Sequence, residues 1–302
     1  MAKIRYFFGA SHEEFPPEAL LQQAVAAEQA GFDGISASDH LQPWWEPGES
    51  GHAWVWLGAA GQATEKIPLG TGVTPTGARY HPALIAQAWA TLDRLFPRRP
   101  LLGIGSGEAL NEVPVGDEWP SPKDQIARMD EALDWIDRLW KGETITEEGR
   151  FYAARDVRTL PGPVRGADGG KDGRNLVPLV VAANGPKSIG LAVERGDGWM
   201  TYGGPADTDD DWWALIERLS RRVDDALAEA GRDSSTLARY LNLDSAPTFS
   251  LTSAAVFEDA VGRADELGFT DVITHWPRPD EPYRGTRDVL DEVAADVMPR
   301  LR

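Results

Sequence analysis

Short apolar runs alternate with longer amphipathic segments along nearly the whole chain, and that alternation limits the possible folds more than any other feature. Ile4 to Phe8 reads as a first strand and Pro17 to Ala30 as a helix with proline in its first turn. Gly34 to Ser38, Ile67 to Val73 and Leu101 to Ile104 read as the next three strands, with helices over Ala53 to Ala63 and Pro82 to Leu95 between them. A longer helix from Pro122 to Trp140 places Ile126, Met129, Leu133, Ile136 and Trp140 on one face. The rhythm breaks over 142–175, which is rich in Gly, Pro and charge and is expected to form an insertion over the mouth of the fold. Strands at Val177 to Ala182, Gly198 to Thr201, Leu241 to Leu251 (irregular) and Asp271 to His275 complete a set of eight. Helices over Lys187 to Arg195, Ala254 to Leu267 and Thr286 to Leu301 accompany them. Repeated β–α units with apolar strands imply a parallel sheet covered by helices, and eight of them favour a closed (β/α)8 TIM barrel over an open sheet. One barrel domain over residues 1–302, with an insertion, fits the length.

Composition removes several classes of function. The formal net charge of −18 argues against nucleic-acid binding, which draws its affinity from basic surface. There is no cysteine, hence no disulfide, thiolate metal site or cysteine nucleophile. No metal-ligand spacing and no glycine-flanked nucleophilic serine occurs. No long apolar stretch follows a basic start, so no signal peptide or membrane span is expected, and the cytoplasm is the expected compartment.

Two blocks carry the chemistry, each directly after a predicted strand. The first, Ser38-Asp39-His40-Leu41-Gln42-Pro43-Trp44, sets an imidazole beside a carboxylate and an indole. The second, Gly103-Ile104-Gly105-Ser106-Gly107-Glu108-Ala109-Leu110-Asn111-Glu112, is a glycine-lined bend ending in a carboxylate. In a barrel of this kind the carboxyl ends of the strands hold the active site, so both blocks face it. A neutral His40 can take a proton from an alcohol, Glu13 after the first strand can orient the imidazole, and Asp39 is a candidate cofactor contact. The glycine spacing is GxGxG at the fourth strand, not the dinucleotide fingerprint, and suits close approach of backbone to a flat ring. For Glu108 the bland alternative is a carboxylate meeting a helix N-terminus. Ala182-Ala183-Asn184-Gly185-Pro186 opens a helix whose amides can hold an anion.

These strings resemble the luciferase-like flavin and deazaflavin oxidoreductases, and within them the group around F420-dependent glucose-6-phosphate dehydrogenase. The matching stretches are Ser38 to Trp44, Gly70 to Pro82 with Ile85 to Ala88, Gly103 to Glu112, and Ala182 to Pro186 followed by Gly196 to Gly198. The resemblance implies a (β/α)8 barrel, a homodimer, a small-molecule substrate, and F420 at the strand carboxyl ends. It implies His40 as the base, Trp44 packed nearby, and Glu108 as the acid that protonates the deazaflavin after a hydride arrives. Asp39, Thr74, Gly107 and Asn111 match cofactor contacts, and Ala183, Asn184 and Gly185 match the amides at its phosphate-bearing tail. Gly72-Val73 matches a bulge whose non-prolyl cis bond backs the ring.

Departures from the pattern matter as well. Thr201-Tyr202-Gly203-Gly204-Pro205 and the acidic run Asp207 to Asp211 stand where the glucose-6-phosphate enzymes carry a phosphate-binding lysine, so a substrate other than glucose 6-phosphate is expected. His275 and Arg278, after the last strand, are candidates for holding a polar substrate. The segment Trp44 to Trp56 resembles a branch implying ordinary flavin, which keeps FMN as the alternative cofactor and a monooxygenase or reductase as the alternative activity. Trp45, Trp54 and Trp56 either line an apolar mouth or pack internally. A non-catalytic flavin-binding protein is the third reading, against which the retention of both His40 and Glu108 argues.

Overall fold

The structure, a computed structural model, describes residues 4–46, 48–116, 118–164 and 175–302. Eight parallel strands close into a barrel: β1 (Arg5–Ala10), β2 (Gly34–Ala37), β3 (Leu69–Thr71) with its continuation β4 (Thr74–Pro75), β5 (Pro100–Gly105), β8 (Leu179–Ala182), β9 (Gly198–Thr201), β10 (Ala238–Asn242) and β11 (Asp271–His275). Closure comes from β3 pairing with both β2 and β5. The remaining two strands, β6 (Ile145–Glu148) and β7 (Ala153–Val157), form a separate antiparallel hairpin.

Side chains fill the barrel in two shells. Phe7, Val180, Met200, Tyr240 and Ile273 pack against one another in the interior. The larger cluster lies between the strands and the helices around them. These helices are α1 (Pro17–Gln29), α2 (Ala53–Ala63), α3 (Pro82–Leu95), the short α4 (Ala109–Glu112), α5 (Pro122–Trp140), α6 (Pro186–Arg195), α7 (Asp209–Ala230), α8 (Ala254–Glu266), α9 (Arg287–Glu292) and α10 (Met298–Arg300). Local chemistry sets their starts: the side chains of His81, Ser121 and Ser253 accept backbone N–H groups in the first turns of α3, α5 and α8. None of the helices among the described residues is long and apolar enough to cross a membrane.

Two corrections to the sequence reading concern the second half of the barrel. The strand expected over Leu241 to Leu251 lies earlier, at Ala238–Asn242, and the chain then turns through short 3-10 segments at Leu243–Ser245 and Ser250–Thr252. The acidic run Asp207 to Asp211, expected to stand at the substrate's phosphate position, instead leads into α7, where Thr208 caps the Asp211 amide and Asp209, Asp210 and Asp211 face the positive end of a 22-residue helix. None of these aspartates lines the main cavity.

The insertion forms the β6–β7 hairpin, laid along α5. Glu131 accepts the backbone amides of Arg150, Phe151 and Tyr152, and the Tyr152 hydroxyl reaches the Thr76 carbonyl at 3.1 Å. None of the described residues of 142–164 lines the cavity, so this part flanks the mouth and does not cover it. The rest of the expected insertion, apart from Asn175, lies outside the described residues.

Candidate active site

A cavity of about 840 Å³ opens at the carboxyl end of the barrel, and every barrel strand delivers residues to it. Glu13 follows β1, His40 follows β2, Glu108 follows β5, Tyr202 follows β9 and His275 ends β11. Between β3 and β4 the register moves from Gly70 opposite Leu101 to Thr74 opposite Ile104, so the first strand carries one extra residue. The extra residue makes the expected bulge at Gly72-Val73, and the bond between them is cis. Gly105 keeps the floor shallow, because a Cβ there would come within 2.7 Å of Val73. Gly107 turns the chain at φ 89°, a conformation suited to glycine.

His40 is the best-held group at the mouth. Its Nδ1 lies 2.5 Å from Glu13 Oε1, while Glu13 Oε2 accepts from Ser11 Oγ at 2.9 Å and Ser38 Oγ at 2.7 Å. Burial alone would raise the Glu13 pKa, but the His40 contact and the Ser38 hydroxyl outweigh it and hold the carboxyl down at about 2. The reciprocal effect on His40 has the opposite sign: burial lowers its pKa, and the Glu13 hydrogen bond and charge raise it above the ordinary value. With Nδ1–H donated to Glu13, the Nε2 edge is left for proton exchange. It lies 3.5 Å from Glu108 Oε2, whose side chain is 60% exposed. Glu108 does occupy the N-cap position of α4, but its side chain caps nothing and faces His40 instead. Trp44 also lines the cavity and is 43% exposed.

Several expected cofactor contacts turn out to be committed within the protein. The Asp39 carboxylate accepts from Thr74 Oγ1 at 2.7 Å, Trp54 Nε1 at 3.0 Å, Tyr80 Oη at 3.1 Å and Arg79 Nη1 at 3.4 Å. Four donors fill the four lone-pair sites of a carboxylate, so Asp39 organises the wall without an acceptor to spare. Thr74 is fully buried in that network and does not line the cavity. The Asn111 oxygen takes the Leu41 and Gln42 amides at 2.7 and 3.1 Å, which ties the Trp44 loop to the Glu108 turn. At the mouth of α6, the Ala183 amide bonds Met200 O and the Gly185 amide bonds Ser188 Oγ, so of the three only the Asn184 amide has no partner among the described residues. The Asn184 side chain itself bonds Gly203 O and Thr201 Oγ1. Arg222, from α7, brings a guanidinium to within 3.4 Å of Asn184 O.

On the β10–β11 side, His275 lines the cavity and Arg278 does not: its guanidinium pairs with the buried Glu14. The tryptophans resolve toward packing. Trp54 stacks on Tyr80 at 4.0 Å, Trp56 is buried with its N–H on Pro17 O, and Trp45 lies outside the lining. Sequence reasoning missed Tyr202, Asn242, Asp244 and Tyr283 as cavity residues. Burial, then the charges of Glu108 and Glu13, push the Tyr202 phenol well up, so it remains a hydrogen-bond donor at neutral pH. Glu112, fully buried, was likewise unassigned; it holds Arg79 through the backbone amide and Nε, each at 3.2 Å.

Comparison with known proteins places this geometry in a family. Residues 3–267 match the model of the luciferase-like monooxygenases, so the chain belongs to that family of oxidoreductases. Its curated relatives include F420-dependent glucose-6-phosphate dehydrogenase of Beutenbergia cavernae, 37% identical over 99% of this chain and 98% of that one. The enzyme of the same name from Microbacterium testaceum is 40% identical over 76% of this chain, which spans 64% of that relative's length. An alignment of 349 positions against a chain of 302 residues means that the Beutenbergia cavernae enzyme carries segments this chain lacks. Among solved structures, an F420-dependent secondary alcohol dehydrogenase in complex with an F420-acetone adduct superposes with a TM-score of 0.84 at 26% identity, covering 99% of both chains.

Proposed function

We propose that this protein is an F420-dependent oxidoreductase that moves a hydride between the deazaflavin and a small alcohol/carbonyl pair. The observation that carries this reading is His40 held between Glu13 at 2.5 Å and Glu108 at 3.5 Å, at the mouth of a cavity with a glycine-lined floor. A volume of about 840 Å³ accommodates a tricyclic ring. Gly72-Val73 and Gly105 to Gly107 would support the ring, and the Asn184 amide with Arg222 suits an anionic tail. Bound F420 supplies the carbon that accepts or returns the hydride.

The residues of the chain then handle the proton. In the oxidation direction the carbinol C–H leaves as hydride, the hydroxyl proton passes to His40 Nε2, and a C=O remains. Glu13 stabilises the imidazolium that forms, and Ser11 and Ser38 keep the carboxylate aimed. With the cofactor bound, Glu108 would be the residue placed to supply it a proton, and Trp44 would pack beside the reacting centre. The relatives and the superposed dehydrogenase are named for F420, which supports the cofactor.

Fluorescence titration of the purified protein with F420 and, separately, with FMN tests the assignment. Binding at about micromolar Kd or tighter for F420 with FMN excluded supports it (about −8 kcal/mol). Preference for FMN would move the protein to the ordinary-flavin branch, a monooxygenase or reductase.

A further inference from the structure

The part of the cavity built by β10 and β11 holds a second histidine–carboxylate pair that the chemistry above does not use. His275 Nδ1 lies 3.0 Å from Asp244 Oδ2, and the same oxygen accepts the His275 backbone amide at 2.6 Å. Asp244 Oδ1 accepts the Ser250 amide at 3.0 Å, so the carboxylate is committed on both sides. The imidazole lies flat against Tyr283, with centroids 4.3 Å apart and planes 9° apart. Gly9, its register partner on β1, leaves room for the ring: a Cβ there would come within 2.7 Å of it. A proton held on Nδ1 makes Nε2 an acceptor. Beside it, Asn242 uses its oxygen on the Asp244 amide at 3.0 Å, which leaves the side-chain NH2 as donor. The Ser245 hydroxyl, also in the lining, can do either.

Charge around this wall is already matched. Arg79 is the sole Arg or Lys among the described lining residues, and it bonds Asp39 and Glu112. A phosphate or carboxylate entering beside Glu108 would therefore meet no unpaired Arg or Lys among the described lining residues, a costly arrangement in a partly desolvated site. A fixed acceptor, a fixed donor and a hydroxyl complement groups that both donate and accept, which is to say hydroxyls.

We propose that Asn242, Ser245 and His275 form a subsite for the uncharged, hydroxyl-rich end of the substrate, making that substrate a polyol or an unphosphorylated sugar. The inference rests on the dehydrogenase reading above. It adds that the reacting carbinol is one of several hydroxyls, the others being held by β10 and β11.

The test measures F420 reduction by D-glucose, glucose 6-phosphate and 2-propanol, with wild type, His275→Leu and Ser245→Ala. Expected are a kcat/KM for glucose about tenfold or more above those for glucose 6-phosphate and 2-propanol, and a rise in glucose KM of about tenfold for His275→Leu and about threefold for Ser245→Ala. In both variants, kcat for glucose and the kinetics with 2-propanol stay within about twofold of wild type, which reports intact folding and cofactor binding. If His275→Leu loses 2-propanol turnover as well, Ser245→Ala decides. Glucose 6-phosphate matching glucose, 2-propanol exceeding it, or a deciding variant that slows both alcohols alike overturns the subsite. Turnover of 2-propanol alone keeps the dehydrogenase and overturns the polyol; failure to bind F420 overturns both.

Discussion

His40 and His275 each rest a ring Nδ1 against a buried carboxylate in the same cavity, yet their surroundings make them different devices. Glu13 meets His40 through the side chain alone, and its other oxygen is occupied by two hydroxyls that keep it charged. Beyond the ring, Nε2 faces Glu108 at 3.5 Å, a second carboxylate on an exposed side chain. Asp244 instead clamps both the ring and the backbone amide of His275, and Tyr283 covers the ring face. One pair is poised to change protonation state, and the other is built to keep a single orientation. The contrast shows that a histidine–carboxylate contact defines a role only together with what lies on the far nitrogen.

The comparison can be broken most decisively at His40. His40→Ala should lower turnover by about 10²- to 10⁴-fold, the usual worth of a positioned acid–base group. F420 affinity should stay within about tenfold, or about 1.4 kcal/mol, in a fluorescence titration. Collapse of cofactor binding would instead make the residue structural. Glu108→Gln should slow the reaction by about a hundredfold with an unchanged melting temperature, and wild-type turnover in that variant would remove it from the mechanism. Glu13→Gln should cost about tenfold and, more tellingly, move the pH profile. Alcohol oxidation needs neutral His40, so wild-type kcat/KM should fall as pH drops below a His40 pKa raised above 6.5. Without the Glu13 charge, burial of the imidazole is opposed only by the charges of Glu108 and Asp39, and the acid limb should move to lower pH. An unmoved limb would assign the titration to another group. The smallest effect concerns neither pair: with a net charge of −18, the melting temperature should rise by a few degrees as KCl is raised toward about 1 M. The buried pairs are poorly screened, so the activity ratio of His40→Ala to wild type should hold across the same salt series.

Much of this architecture was legible because it is written in local patterns. Three helices, α2, α3 and α5, and the strands β9 and β11 begin and end where their apolar periodicity and caps place them. The His40 and Glu108 blocks were recognisable because a strand end followed by an unusual polar string stands out. Helix α7 was passed over because its start reads as a run of aspartates. The stripe of Trp212, Ile216, Leu219, Val223 and Leu227 behind Thr208 was the available signal. The misplaced tenth strand hid Asp244, which lies in a 3-10 turn just past β10 and looks from sequence like strand interior. Harder still was the allegiance of each polar group. Asp39, Thr74 and Arg278 look like ligand contacts in one dimension, and only the folded chain reveals Trp54, Tyr80 and Glu14 as their partners.

The Asn111 side chain has a mechanical consequence. It grips the two amides that directly follow His40 while sitting three residues beyond Glu108 on the same turn. The jaws of the site are thereby riveted together, so a displacement of either block drags the other along. The gap between base and acid is gauged by the backbone, like the fixed opening of a caliper, and a substrate entering the mouth meets a preset span.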